Sequence, residues 1–100
     1  MLKRDLLQLC LLHLLTGGDC YGYQMISRLH DTFPDTAESA IYALLRDLAR
    51  HGLAEVYQGQ ISGGPARKYY RLTAAGEAMY QELLTQWRQI QGSMRALGLE

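Results

Sequence analysis

This chain is poor in several things that would have decided its class at once. Its 100 residues include two cysteines, two prolines, one tryptophan and one phenylalanine. Cys10 and Cys20 make neither a C-x-x-C pair nor a disulfide framework, which excludes a disulfide-stapled secreted scaffold and fits a reducing, cytoplasmic setting. Two prolines leave little room for a rigid linker. No apolar run is long enough to cross a bilayer, which takes about 20 residues. The Leu-rich stretch 2–15 is interrupted by His13 and lacks the small-residue cleavage site of a signal peptide, so no membrane partner is expected. Charge of one sign is missing too. Ten basic side chains meet ten acidic ones, and global charge gives no sign of a polyanion partner.

What is present is a globular balance, with 48% apolar and 20% charged residues. The charges are unevenly placed. Residues 1–41 carry net −2, residues 72–100 carry net −1, and residues 42–71 carry net +3 from Arg46, Arg50, Arg67, Lys68 and Arg71 against Asp47 and Glu55. A polyanion, if one binds, should meet this middle third.

Apolar spacing predicts the elements. Leu6, Leu7, Cys10, Leu11, Leu14 and Leu15 give a first helix over 3–16, ended by Gly17-Gly18. Leu2, Leu9 and Leu12 make it apolar on a second side, which suggests packing beyond its own domain. A second helix over 22–31 presents Tyr23, Met25, Ile26 and Leu29, with Asp19 or a neighbour as its cap. Phe33-Pro34 breaks the chain. Asp35 and Glu38 have the spacing of a variant capping box for a third helix over 36–51. Ile41, Leu44, Leu45 and Leu48 form the inner face of that helix. Ser39, Tyr42, Arg46 and Arg50 share another face.

The period then changes. Residues 53–57 and 67–72 read as strands joined by a turn-rich tip over 58–65. In the second strand Tyr70 sides with Leu72 and reads as core. Thr73 caps a last helix over 74–97, longer than a small globule needs. Tyr80, Leu83, Trp87, Ile90, Met94 and Leu97 repeat along it in steps of three and four, a heptad seam for dimerisation.

The fold class is therefore α+β, mainly α with a small β-hairpin. The order is that of a winged helix-turn-helix over 1–73 followed by a long dimerisation helix over 74–100. In that architecture the third helix enters the major groove of DNA and the hairpin, the wing, runs along the backbone beside it.

Short motifs make the likeness specific. Tyr21-Gly22-Tyr23, Ile41-Tyr42 with Leu45, Gly52-Leu53, and Gly64-Pro65 followed by the run 67–76 (Arg-Lys-Tyr-Tyr-Arg-Leu-Thr-Ala-Ala-Gly) resemble, in order, the motifs of PadR-type transcriptional regulators with a single C-terminal helix. The last run, ending in L-T-x-x-G, is the specific one. Ala40, Ala43 and Ala49 depart from the Thr, Pro and Glu usual there. The resemblance implies a ligand-responsive repressor that binds double-stranded operator DNA as a homodimer. It also implies a small aromatic effector near Trp87, since some drug-sensing members carry a tryptophan at this point of the last helix. Leu6, Leu9, Cys10, His13 and Ile90 would line the same space. Read from the residues alone, Trp87 is a dimer-core aromatic.

The candidate DNA contacts are Ser39, Tyr42, Arg46 and Arg50 on the third helix and Arg67, Lys68 and Tyr69 at the wing base. Tyrosine and serine hydroxyls suit phosphates or base edges; arginine suits a phosphate or a guanine; Lys68 suits a phosphate. No enzyme motif is present, whether G-x-S-x-G, a phosphate loop or paired carboxylates. Cys10, His13, Cys20, His30 and His51 lack zinc-ligand spacing, so no metal or cofactor is expected. The alternative reading is a winged-helix adaptor that binds a partner protein through the same surface.

Overall fold

The computed structural model describes residues 1–59 and 67–99. Seven elements follow in order: α1 (Lys3–Thr16), β1 (Cys20–Tyr21), α2 (Gly22–Thr32), α3 (Glu38–Arg50), β2 (Ala54–Gly59), β3 (Arg67–Leu72) and α4 (Ala74–Ala96). Most of the expected hairpin tip, with Gly63, Gly64 and Pro65, lies outside the described residues.

α1 is the centre of the molecule. Leu11 and Leu12 are fully buried, and Leu7, Leu9 and Leu15 nearly so. The apolar residues on its second side are covered by the chain's own α2, α3, α4 and β3, which surround it. That face therefore does not require a partner, contrary to the expectation from sequence. Only Leu2, just ahead of the helix, stays exposed. Its backbone N–H donates to the Asp5 carboxylate, which occupies the helix's otherwise unsatisfied first turn.

α3 begins at Glu38 behind Ala37, which offers no side-chain cap. The expected Asp35–Glu38 box does not form. The approach to α3 is fixed instead by His30 of α2, whose Nδ1 lies 2.7 Å from the Thr36 carbonyl oxygen. The inner face of α3 is as expected, with Ile41, Leu45 and Leu48 buried and Leu44 partly so. Gly52, with φ 75°, turns the chain out of it.

The sheet has three strands in the order β1-β3-β2, all antiparallel. The two-residue β1 was not foreseen, because a strand that short leaves no periodicity to read. It pairs Cys20 with Tyr70 and Tyr21 with Tyr69. One face of β3 presents Tyr70, which is buried, while the other carries Arg67, Tyr69 and Arg71.

The L-T-x-x-G run closes the domain. Thr73 Oγ1 accepts the Gly76 N–H at 3.0 Å and donates to the Gly52 carbonyl at 2.7 Å, so one hydroxyl caps α4 and ties it to the end of α3. Gly76 has to be glycine, since a Cβ there would run into the Leu53 carbonyl oxygen. α4 then divides. Tyr80 and Leu83 are buried in the core beside α1, and Leu84 and Trp87 pack partly against it. Met94 and Leu97 are exposed, Leu97 at 83%. The helix expected to form a separate unit from residue 74 thus shares the core through Leu83. Two of the six seam residues are covered within the chain. Leu97 sits at the C-cap, one position beyond the helix. The helix is about 35 Å long at ~1.5 Å per residue, and the molecule extends 54 Å along its longest axis.

Candidate nucleic-acid interface

α3 lies on the core with one face and turns Ser39, Tyr42, Arg46 and Arg50 outward, all exposed. The Arg46 guanidinium sits 5.7 Å from the centre of the Tyr42 ring, one turn away along the helix. Arg50 is engaged differently. It pairs with Asp47 at 2.6 Å, and the same carboxylate takes Arg4 of α1 at 3.1 Å. Asp47 thereby pins the back of α3 to α1.

The N-terminus of α2 brings the helix and the wing together. A groove of about 300 Å³ runs between α3 and the wing base, lined by Tyr21, Tyr23, Tyr42, Arg67 and Lys68 over a floor that includes Gly22, Leu45 and Tyr70. Gly22 makes this approach possible, since a Cβ there would stand 2.8 Å from the Tyr70 ring. Tyr70 is the core residue expected, and burial pushes its phenol pKa up, with Arg46 pulling the other way. Tyr23 is a correction: read as an inner-face residue, it is 61% exposed. Tyr21 and Tyr23 are the groove residues that sequence reasoning missed. Their signal was the Tyr-Gly-Tyr triplet, whose small central residue sets β3 close beneath two flanking rings.

Among the basic residues of the middle third, Arg50 and Arg71 hold carboxylate partners. Arg46, Arg67 and Lys68 hold none among the described residues. The charge left over in this region therefore lies on α3 and at the wing base. Tyr69 is less free than its neighbours. Its ring lies between those of Tyr21 and Tyr57, 5.8 Å from each.

Elsewhere, α1, the end of α2 and α4 line an open pocket of about 490 Å³. Leu9, Cys10, His13 and Trp87 line it together; Leu6 and Ile90 do not. Leu14, Leu29, Phe33, Tyr80 and Leu84 complete its apolar wall, and Arg28, Thr32 and Arg88 also line it. His13 Nδ1 lies 2.8 Å from the Tyr80 hydroxyl, a link between α1 and α4. Burial pushes the Cys10 thiol pKa up, which favours the neutral thiol over a metal-binding thiolate. No helix among the described residues is long and apolar enough to cross a membrane.

The comparisons agree with this arrangement. The Transcriptional regulator PadR-like family matches residues 11–82. An uncharacterised protein of Lysinibacillus sphaericus is 33% identical over 84 residues, 80% of this chain and 76% of the relative. A solved PadR-like transcriptional regulator of Bacillus cereus is 29% identical with a TM-score of 0.80, over 91% of this chain and 89% of that one. A PadR family transcription regulator of Clostridium difficile is 28% identical with a TM-score of 0.78, over 91% and 96%. The two solved relatives are transcription regulators rather than enzymes. The matched region runs from Leu11 in the middle of α1 to Glu82 in α4, taking in helix, groove and wing, and on that footing the chain belongs to the PadR-like family of transcriptional regulators.

Proposed function

We propose that this regulator is a cytoplasmic homodimeric repressor that binds double-stranded operator DNA and releases it on binding a small aromatic ligand. The observation that carries the DNA reading is the groove between α3 and the wing base, where Tyr42, Arg67 and Lys68 converge, while Arg46, on the same helix as Tyr42, has no carboxylate partner among the described residues. Exposed hydroxyls and unpaired cations suit a phosphate backbone flanking a major groove. Ser39, Tyr42 and Arg46 would reach base edges or phosphates. Arg67 and Lys68 would take phosphates. Arg50, tied to Asp47, contributes least.

The exposed end of α4 supports dimerisation through Ile90, Met94 and Leu97, with Trp87 at the edge of the covered half. A two-fold related pair of α3 helices would reach half-sites about one helical turn apart. The cavity beside Trp87 is the place for the ligand, because an indole wall offers stacking to a flat molecule.

Selection of duplexes from a random pool by the purified protein tests this reading and yields the half-site. Arg46→Ala should weaken binding and relax one base position. Lys68→Ala should weaken all sequences alike and flatten the salt dependence by about one ion. An aromatic ligand that quenches Trp87, the one tryptophan, should release the duplex. Affinity that ignores salt, with both variants binding as the parent, would overturn the DNA reading in favour of the protein adaptor.

A further inference from the structure

The outer face of the sheet carries an arrangement that the DNA surface does not explain. Tyr57, Tyr69 and Tyr21 stand directly opposite one another on β2, β3 and β1. Their rings form a row, Tyr57 stacked on Tyr69 at 5.8 Å and 19°, and Tyr69 tilted against Tyr21 at 5.8 Å and 42°. Gly59 leaves the room that the row requires, because a Cβ there would enter the Tyr69 ring. At one end the Arg67 guanidinium lies 4.8 Å from the centre of the Tyr21 ring. At the other end stands Asp19, in the turn between α1 and β1. Its Oδ2 accepts the Tyr57 hydroxyl at 2.6 Å and the Arg71 Nε at 3.4 Å. Arg71 in turn covers the Tyr57 ring at 4.8 Å. The hydrogen bond to Asp19 is the leading cause that pushes the Tyr57 pKa up, so the phenol stays protonated and donating.

From this geometry we infer that Asp19 and the tyrosine row are a positioning device for Arg67: the carboxylate holds Tyr57, the packed rings hold Tyr21, and Tyr21 holds the Arg67 guanidinium at the wing base. The inference rests on the DNA reading above. Its physical content is pre-organisation. A long arginine side chain loses rotamer freedom on gripping a phosphate, and a ring that already holds it reduces that loss. Asp19 itself touches neither Arg67 nor the groove.

The sign of one substitution separates this role from simple electrostatics. Removing a carboxylate from a DNA-binding protein ordinarily strengthens its hold on a polyanion. If Asp19 positions Arg67, Asp19→Ala instead weakens duplex binding, and Asp19→Asn, which keeps an acceptor for the Tyr57 hydroxyl, restores part of the loss. Tyr57→Phe changes no charge and keeps the ring. The expected effect of Asp19→Ala or Tyr57→Phe is about three- to tenfold in affinity for the selected duplex, typical of coupling through packed side chains. Because each acts through Arg67, neither should weaken binding further in an Arg67→Ala background. Thermal midpoints of the variants, measured alongside, show that the fold survives. Asp19→Ala binding as tightly as the parent or tighter, or effects that add fully to that of Arg67→Ala, would overturn the inference. A parent chain that binds no duplex at any salt concentration would overturn the DNA reading itself, and this inference with it. If Asp19→Ala unfolds, Tyr57→Phe and the Arg67→Ala background still decide.

Discussion

The two halves of α4 carry one pattern and meet two fates. Tyr80 and Leu83 begin a three-and-four repeat that continues through Trp87, Ile90, Met94 and Leu97. The first two are buried in the chain's own core. Trp87 and Ile90 are half-buried, and the last two stand in solvent. The repeat says only that one side of the helix is apolar. What covers that side depends on how far α1 reaches. α1 meets α4 with His13 at Tyr80 and with Leu9 and Cys10 near Trp87, and its leucines cover only the first half of a helix of 23 residues. The first half is therefore a matter of folding and the second, under the proposed dimer, a matter of association, and substitutions should separate them.

Leu83→Ala should have the largest effect. It empties a buried site and should lower unfolding free energy by about 2–5 kcal/mol. Denaturant unfolding at two protein concentrations checks it, because a core defect lowers stability at both. A variant as stable as the parent that dissociates more readily would assign Leu83 to the partner instead.

Met94→Asp is the counterpart from the second half. Met94 is 39% exposed in the single chain, so the substitution should leave the fold of the isolated chain intact. Its cost should fall on the dimer. Losing an apolar side chain from each copy, at about 1.5–3 kcal/mol per fully buried residue, should raise the dissociation constant by at least about tenfold. Sedimentation equilibrium measures it. A parent chain that is monomeric at micromolar concentration would end the dimer reading.

The same contrast marks how far the sequence could be read. Helix positions, the inner face of α3, the burial of Tyr70 and the capping role of Thr73 were legible, since each follows from apolar period or local hydrogen-bond chemistry. β1 was not, because two residues have no period and its pairing with Tyr69 and Tyr70 joins positions about 50 apart in the chain. The role of Asp19 was hidden for the same reason. A carboxylate after two glycines reads as a local helix cap, whereas its partners Tyr57 and Arg71 lie 38 and 52 residues away. Tyr23 was misplaced because helical spacing does not distinguish an inner ring from one at the rim of a groove. Of the candidate interface, the basic residues were visible as a local excess of charge. Which of them stay unpaired was not, since Arg50 and Asp47 are three apart but Arg4 and Asp47 are 43 apart.

The smallest effect is expected within the first half of α4, at the His13–Tyr80 link on the wall of the pocket beside Trp87. Tyr80→Phe keeps the ring and its packing but removes the hydroxyl that joins α4 to α1. Tyr80 is 9% exposed, while His13 is exposed and can turn to water once its partner is gone. No buried group is then left unsatisfied, and the loss should be that of one ordinary hydrogen bond, about 0.5–1.5 kcal/mol. Denaturant unfolding of the parent and the variant measures it. His13→Ala should cost about the same, and the double variant little more than either, because both remove one interaction. Costs that add in full would mean that the 2.8 Å approach contributes nothing, and that the first half of α4 is held to α1 by apolar packing alone.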